Sequence, residues 1–336
     1  MSAPNLSQFL TPTANGVREL KFKALGTECN IKIRLDSETQ SLKFATDALE
    51  WIKNFEEKYS RYLDNSLVAI INSAAGQSWI EVDEDAERLL NVADEVFRKS
   101  DGVLDATMLP LARVWDWKKI HKQLPDEQQI QEALRLTGWD KVQRKSGKIF
   151  LPEKGMGIDF GGFGKELAVD ALIEISRRHQ IEDVLIDLGK DIYASGSNGK
   201  HNFWHIGIED GKNPGNCLTS LAISDRAVSS SGTYARHFIH DGKRYGHIID
   251  PRTGWPTSNG IDSVTVIAKT CLEAGIHSTV CYILGAEEGL NFSSKSHEID
   301  VCIQSDQGIE GNPQFERWLA KESKDTEGKD MNLEND

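Results

Sequence analysis

Residues 243–254 read Lys243-Arg244-Tyr245-Gly246-His247-Ile248-Ile249-Asp250-Pro251-Arg252-Thr253-Gly254, and no other stretch of the chain gathers as much chemistry. A short apolar run carries one imidazole toward an Asp-Pro-x-x-Gly turn. Pro251 fixes φ, and the Asp250 side chain can accept from backbone amides beyond it, so the corner is stiff. His247, Asp250 and Arg252 then offer a proton-transfer group, a carboxylate and a guanidinium suited to an anion. The same residues also suit a surface hairpin with polar decoration, and the segment alone leaves both readings open.

Three further segments offer polar groups on backbone corners. Asp159-Phe160-Gly161-Gly162-Phe163-Gly164-Lys165 reads as a strand, a glycine corner and a helix start. Glycines allow close backbone approach, and free amides at a helix start attract phosphate. The spacing is neither a dinucleotide fingerprint nor a P-loop, and a plain strand-to-helix turn explains it as well. Residues 227–234 place Ser229, Ser230, Ser231 and Thr233 around Gly232, in what reads as a loop before a strand. Such hydroxyls serve a phosphate, a ribose or only solvent. Residues 101–111, followed by Trp115, form an apolar loop holding Asp105 and Thr107, which suits packing as readily as ligand contact. The remaining histidines show no metal-ligand spacing.

Periodicity supplies the elements that would position these groups. Residues 20–35 alternate as a first strand, with Cys29, Ile31, Ile33 and Leu35 on one side. Residues 38–59 and 83–99 carry apolar side chains at helical spacing, and 125–136 is a shorter charged helix. A helix follows Lys165, and another begins at the capping pattern Thr270-Cys271-Leu272-Glu273 and ends at Leu284-Gly285. Between them several strands follow one another without helices. The order excludes a doubly wound chain and predicts an α+β fold, a mainly antiparallel sheet with packed helices.

The 336 residues are enough for a large core, read here as one domain over 19–320, with a flexible extension at 1–18 and a charged, disordered tail at 321–336. A net charge of −13 argues against nucleic acid and anionic membranes as partners. Five scattered cysteines without Cys-x-x-Cys spacing point to neither a zinc site nor a disulfide framework, and suit a reducing compartment. With neither an export signal, a lipid-attachment cysteine nor a membrane-length apolar run, the expected location is cytoplasmic.

Taken in order, the segments resemble the FAD:protein FMN transferases, the ApbE-like flavin transferase family. The similar elements are Leu25-Gly26-Thr27, residues 59–62, 67–72, 101–111 with Trp115, 159–170, 187–191, 227–234, 244–254 and 263–266, and the helix ending at Gly285. The resemblance spans roughly residues 20–305. It implies a T-fold-like architecture and an enzyme that cleaves the FAD diphosphate with Mg²⁺, attaches FMN to a Thr or Ser hydroxyl of an acceptor protein, and releases AMP. It implies His247 and Lys165 as the reacting pair: His247 near the phosphates as base or electrostatic clamp, Lys165 offsetting phosphate charge. Asp250 and Arg252 would hold the loop and contact ligand, and Ser230, Ser231 and Thr233 would line the FAD pocket. Tyr62 and Asp105 would lie toward the flavin or adenine, with Leu25, Gly26, Thr107 and Asp159 completing the FAD contacts.

The family's metal site uses a backbone carbonyl of the glycine corner, here Gly164, and an Asp and a Thr one turn apart on the late helix. Thr279 is present, but the Asp position is Gly275. Mg²⁺ prefers anionic oxygen, so this loss should weaken its hold. Glu273 stands about 200° round the helix from position 275 and suits capping better. Glu166 and Lys190 both replace family glycines nearby, and either could compensate. Loss of transfer is the alternative, leaving an FAD-binding protein or an FAD pyrophosphate hydrolase that yields FMN and AMP.

Overall fold

The computed structural model describes residues 6, 12–116, 123–233, 236–296 and 298–320. The tail, most of the N-terminal extension, and His121, Tyr234 and His297 lie outside the described residues. In chain order, β1 (Val17–Ala24) and β2 (Thr27–Arg34) precede α1 (Glu38–Tyr59) and α2 (Leu67–Ser73). Next come β3 (Ile80–Glu81), α3 (Glu84–Lys99), α4 (Leu109–Val114), α5 (Glu127–Arg135), β4 (Gln143–Lys145), β5 (Lys148–Phe150) and α6 (Gly164–Arg178). A run of strands follows: β6 (Val184–Leu188), β7 (Asp191–Ser195), β8 (Trp204–Glu209), β9 (Cys217–Ile223), β10 (Arg226–Gly232), β11 (His237–His240), β12 (Lys243–Gly246) and β13 (Ile261–Ala268). The described chain closes with α7 (Cys271–Leu284), α8 (Ala286–Ser294), β14 (Asp300–Ser305) and β15 (Gly308–Gly311).

Eight strands build one sheet in the order β1-β2-β6-β7-β10-β13-β14-β15. Every neighbouring pair is antiparallel, so the expected α+β class is the observed one. Period-2 alternation sends Val184, Ile186 and Leu188 of β6, with Ala227 of β10, into a core shared with α1, α6 and α7. Leu185 and Val228 point to the opposite face, where the β8–β9 ribbon covers them with Trp204, Ile206 and Leu221. The three helices foreseen at 38–59, 83–99 and 125–136 are α1, α3 and α5. Their N-caps Ser37, Asp83 and Asp126 each accept a backbone N–H from the first turn. Among the described residues no helix is long and apolar enough to cross a membrane.

Two local expectations change. The single strand over 20–35 is a hairpin, β1 and β2, turning at Leu25 and Gly26, with φ of 52° and 71°. Such a turn favours Asn or Gly at its first position, so Leu25 gave no warning. The Glu56 carboxylate accepts the Leu25 N–H at 3.0 Å and holds it there. The hydroxyl-rich segment 227–234 is not a loop before a strand: it is largely β10, in the middle of the sheet. A serine-rich strand can lie there because each hydroxyl is partnered. Ser229 donates to Asp191, while Ser230 pairs with Thr265 and Ser231 with Ser278 and Thr279.

Helices α6 and α7 are joined by a half-buried clamp. Asp170 on α6 accepts the backbone N–H of Cys271 at 2.7 Å and of Leu272 at 3.0 Å, satisfying two orphan donors at the start of α7. One turn away, Glu166 of α6 lies against Gly275 of α7. These pairings run in opposite senses along the two chains, so the helices are locally antiparallel. Asp170→Ala should cost about 1–2 kcal/mol in chemical denaturation, as other lost helix caps do, and Asp170→Asn, which retains one acceptor, should cost less. Equal stability of Asp170→Ala and the parent would show that the clamp does not hold the helix pair.

Candidate functional site

A cavity of about 870 Å³ opens where the glycine corner, the C-terminal half of β10 and the segment after β12 meet. Its lining includes Tyr62, Asp105, Asp159, Lys165, Glu166, Asp191, Ser230, Ser231, Arg236, His247 and Thr279. The volume lies toward the large end of the range for small-molecule sites.

His247 is positioned by aromatic packing. Phe238 of β11 stacks on Tyr245 of β12 with centroids 5.3 Å apart, and Tyr245 stacks on Trp115 at 6.0 Å. Trp115 in turn donates its indole N–H to the Gly254 carbonyl at 2.7 Å, tying the hairpin to the turn beyond it. Gly246 is required beside the imidazole, because a Cβ there would overlap the Thr233 side chain. His247 Nδ1 lies 3.2 Å from the Arg236 carbonyl oxygen. A carbonyl only accepts, so Nδ1 carries the proton and the neutral ring keeps its lone pair on Nε2. Burial, then the Arg236 and Lys165 charges, hold the pKa of His247 down to about 4, although the Arg236 carbonyl works the other way.

Lys165, in the first turn of α6, makes a salt bridge with Asp191, the first residue of β7. The β7–β10 register sets Asp191 opposite Ser229, whose hydroxyl donates to the second carboxylate oxygen at 2.6 Å. Burial opposes charge on Lys165, but the Asp191 and Glu166 carboxylates outweigh it and raise its pKa. Lys165 is therefore a fixed cation at the cavity wall. Glu166 is 6% exposed, and its Oε2 atom has no hydrogen-bond partner. Burial first, and the Asp191 charge second, push its pKa up.

The other residues singled out in the sequence fall into three groups. Tyr62, Asp105, Asp159, Ser230, Ser231 and Thr279 line the cavity with His247 and Lys165. Tyr62 is 65% exposed beneath the Arg61 guanidinium, and Arg61 also pairs with Asp159 at 2.7 Å. Leu25, Gly26 and Gly164 line an adjoining pocket that shares Arg61, Tyr62, Asp159 and Lys165 with the cavity.

Thr107, Thr233, Asp250 and Arg252 do not line the cavity; they brace its surroundings. Thr107 donates to Asp105 and accepts from Gly138 N–H, and Thr233 pairs with the Tyr282 hydroxyl. Asp250 accepts the Arg252 backbone N–H and both ends of its guanidinium, which closes the turn as the Asp-Pro signal foretold. Lys190 lines the cavity, with its amine paired to Glu209. Asp191, Ser229 and Arg236 were assigned no role from sequence. Asp191 stood inside a noted motif, and only strand register could couple it to Ser229. Arg236 acts on His247 through its charge and through a backbone carbonyl, and no residue type advertises the carbonyl.

The model of the ApbE family matches residues 25–303 of the chain. A FAD:protein FMN transferase of Klebsiella pneumoniae (strain 342) is 32% identical over 276 residues, spanning 81% of this chain and 85% of that protein. One from Treponema pallidum (strain Nichols) is 28% identical over 79% of this chain and 78% of its own length. Among solved structures, the ApbE protein of Thermotoga maritima superposes with a TM-score of 0.82 at 28% identity, covering 91% of this chain and all of that one. The flavin transferase ApbE of Vibrio cholerae gives 0.78 at 24% identity, a likeness of fold, covering 90% of this chain and 99% of that one. With the family model matching residues 25–303 and a relative 32% identical over 81% of its length, the chain belongs to the ApbE family.

Proposed function

We propose that this protein transfers FMN from FAD to a Thr or Ser hydroxyl of an acceptor protein and releases AMP. The observation that carries this reading is the presence, at one cavity, of a fixed lysine cation and a neutral imidazole whose lone pair is on Nε2. Lys165 sits where diphosphate charge needs an offset, and its bond to Asp191 stops it from wandering. His247 Nε2 takes the proton of the acceptor hydroxyl as that oxygen bonds to the FMN phosphorus. The bond from that phosphorus to the bridging oxygen breaks, and AMP leaves with the electron pair. The names of the relatives support the same chemistry.

The oxygen chemistry on this wall fits a hard cation, because Thr279 and the unpartnered Glu166 oxygen stand at the same cavity. A bound Mg²⁺ would neutralise charge on the diphosphate. Ser230 and Ser231 are placed to bond the nucleotide, and exposed Tyr62 offers a ring face at the mouth.

Incubation with FAD, Mg²⁺ and a threonine-bearing acceptor should yield AMP and flavin-modified acceptor in equal amounts. Free FMN in place of the adduct would identify a hydrolase, and bound FAD without AMP a carrier; either result displaces the transferase reading. His247→Ala should lower the rate by about 10²–10⁴-fold, the usual worth of a positioned base, while FAD affinity stays within a few-fold. An unchanged rate removes His247 from the chemistry.

The depressed pKa of His247 also has a direction that can be checked. Between about 4 and its ordinary value of 6.5 the unfolded chain binds a proton there that the folded chain does not. His247 therefore subtracts stability as pH falls through that window. The His247 ring resonance in ligand-free protein should titrate well below 6.5, and added FAD, bringing negative charge, should move the midpoint up. A ligand-free midpoint at or above 6.5 contradicts the buried neutral ring.

A further inference from the structure

Gly275 lies inside α7, where glycine costs about 1 kcal/mol relative to alanine, so its presence calls for a reason. A Cβ at that position would sit 2.5 Å from Glu166 Cγ and 2.8 Å from Glu166 Oε1. The Glu166 side chain thus fills the space that a side chain at 275 would need. Positions 166 and 275 form one fitted pair, in which a carboxylate arrives from α6 and the facing helix is pared back to receive it.

The carboxylate is poorly served by the protein. Glu166 is buried, it lines the cavity, and Oε2 has no partner. A buried carboxylate oxygen without a donor is costly, and the Lys165 charge offsets this only in part, because its amine is bonded to Asp191. Thr279 stands one turn after Gly275 on the same face of α7 and lines the same cavity. Its hydroxyl is 3.0 Å from that of Ser231 on β10. Among the described residues no group of three or more His, Cys, Asp or Glu converges. A cation here would be held by one carboxylate and neutral oxygens, with its other positions open to water or phosphate. That is the set a hard divalent ion such as Mg²⁺ accepts, and a transition metal would find no soft ligand. Lys190 lacks this fit, since its amine is paired with Glu209.

We propose that Glu166 supplies from α6 the carboxylate that position 275 lacks, and that Glu166 and Thr279 together hold a divalent cation at the cavity wall. The inference deepens the FAD reading, from which it takes the expectation of Mg²⁺, but its donor set stands on the geometry.

Mn²⁺ serves as a paramagnetic probe, with its binding to flavin-free protein read by loss of the free-ion resonance and its displacement read on adding Mg²⁺. The parent protein should bind Mn²⁺ and release it to Mg²⁺. Glu166→Gln keeps the shape, removes the charge, and should weaken Mn²⁺ binding by about tenfold or more. The double variant Glu166→Gly, Gly275→Asp returns the carboxylate to α7 and should regain most of the lost affinity. Thermal melting confirms that each variant is folded. No Mn²⁺ binding by the parent, or unchanged binding in Glu166→Gln, overturns the proposal, as does a folded double variant that binds no better than Glu166→Gln. FAD binding is followed separately by flavin fluorescence. Its failure would count against the transferase reading and leave the Mn²⁺ comparison to decide the role of Glu166.

Discussion

Two backbone N–H groups at the start of α7 have no partner within their own helix, and the half-buried Asp170 carboxylate of α6 takes both. That constraint sets the register of the two helices that wall the cavity. With Asp170 fixed at the end of α7, Glu166 must meet Gly275 one turn away. Lys165 is then aimed at Asp191 on the sheet, and Thr279 is carried to Ser231. A shift of α7 by one residue would rotate it by about 100° and part Gly275 from Glu166 and Thr279 from Ser231. The polar cavity therefore rests on an arrangement made within the hydrophobic core shared by α6, α7 and the sheet.

The electrostatics follow from the same packing. The chain is acidic, with a net charge of −13, yet cations are fixed at the cavity by carboxylates: Lys165 by Asp191, Arg61 by Asp159 and Lys190 by Glu209. Such pairs hold positive charge in a set place, so an anionic ligand meets an organised surface, where net charge alone would predict repulsion. His247 differs. Burial and neighbouring cations keep it neutral, and the Arg236 carbonyl assigns its tautomer. The Lys165 cation and the His247 ring are prepared separately, and both line the cavity.

Much of this was legible in the sequence where a signal is local. Helical periodicity marked α1 and α3, and a short charged run marked α5, because such a pattern needs no distant partner. The Asp-Pro turn at 250–254 was readable for the same reason, and the hydrogen bonds of Asp250 match it. Family resemblance brought Tyr62, Asp105, Asp159, Lys165, His247 and Thr279 into one list, and they line one cavity. The β1–β2 turn escaped because Leu25 occupies a left-handed position through a contact with Glu56, 31 residues away. The serine-rich β10 escaped because its hydroxyls are satisfied by β7, β13 and α7, and no sequence window contains those partners.

The amino-acid sequence by itself determined the class of fold, the main helices, the stiff corner after His247 and the absence of a carboxylate at 275. Each depends on the identity of a residue or on spacing along the chain. Only tertiary structure decided that Glu166 and Lys190, equal candidates on paper, meet different surroundings: one is buried with a carboxylate oxygen that has no hydrogen-bond partner, the other has its amine paired with Glu209. Tertiary structure also turned Thr107, Thr233, Asp250 and Arg252 toward bracing bonds and away from the cavity. Burial, strand register and helix crossing set which atoms share a space, and none of these is a property of a residue taken alone.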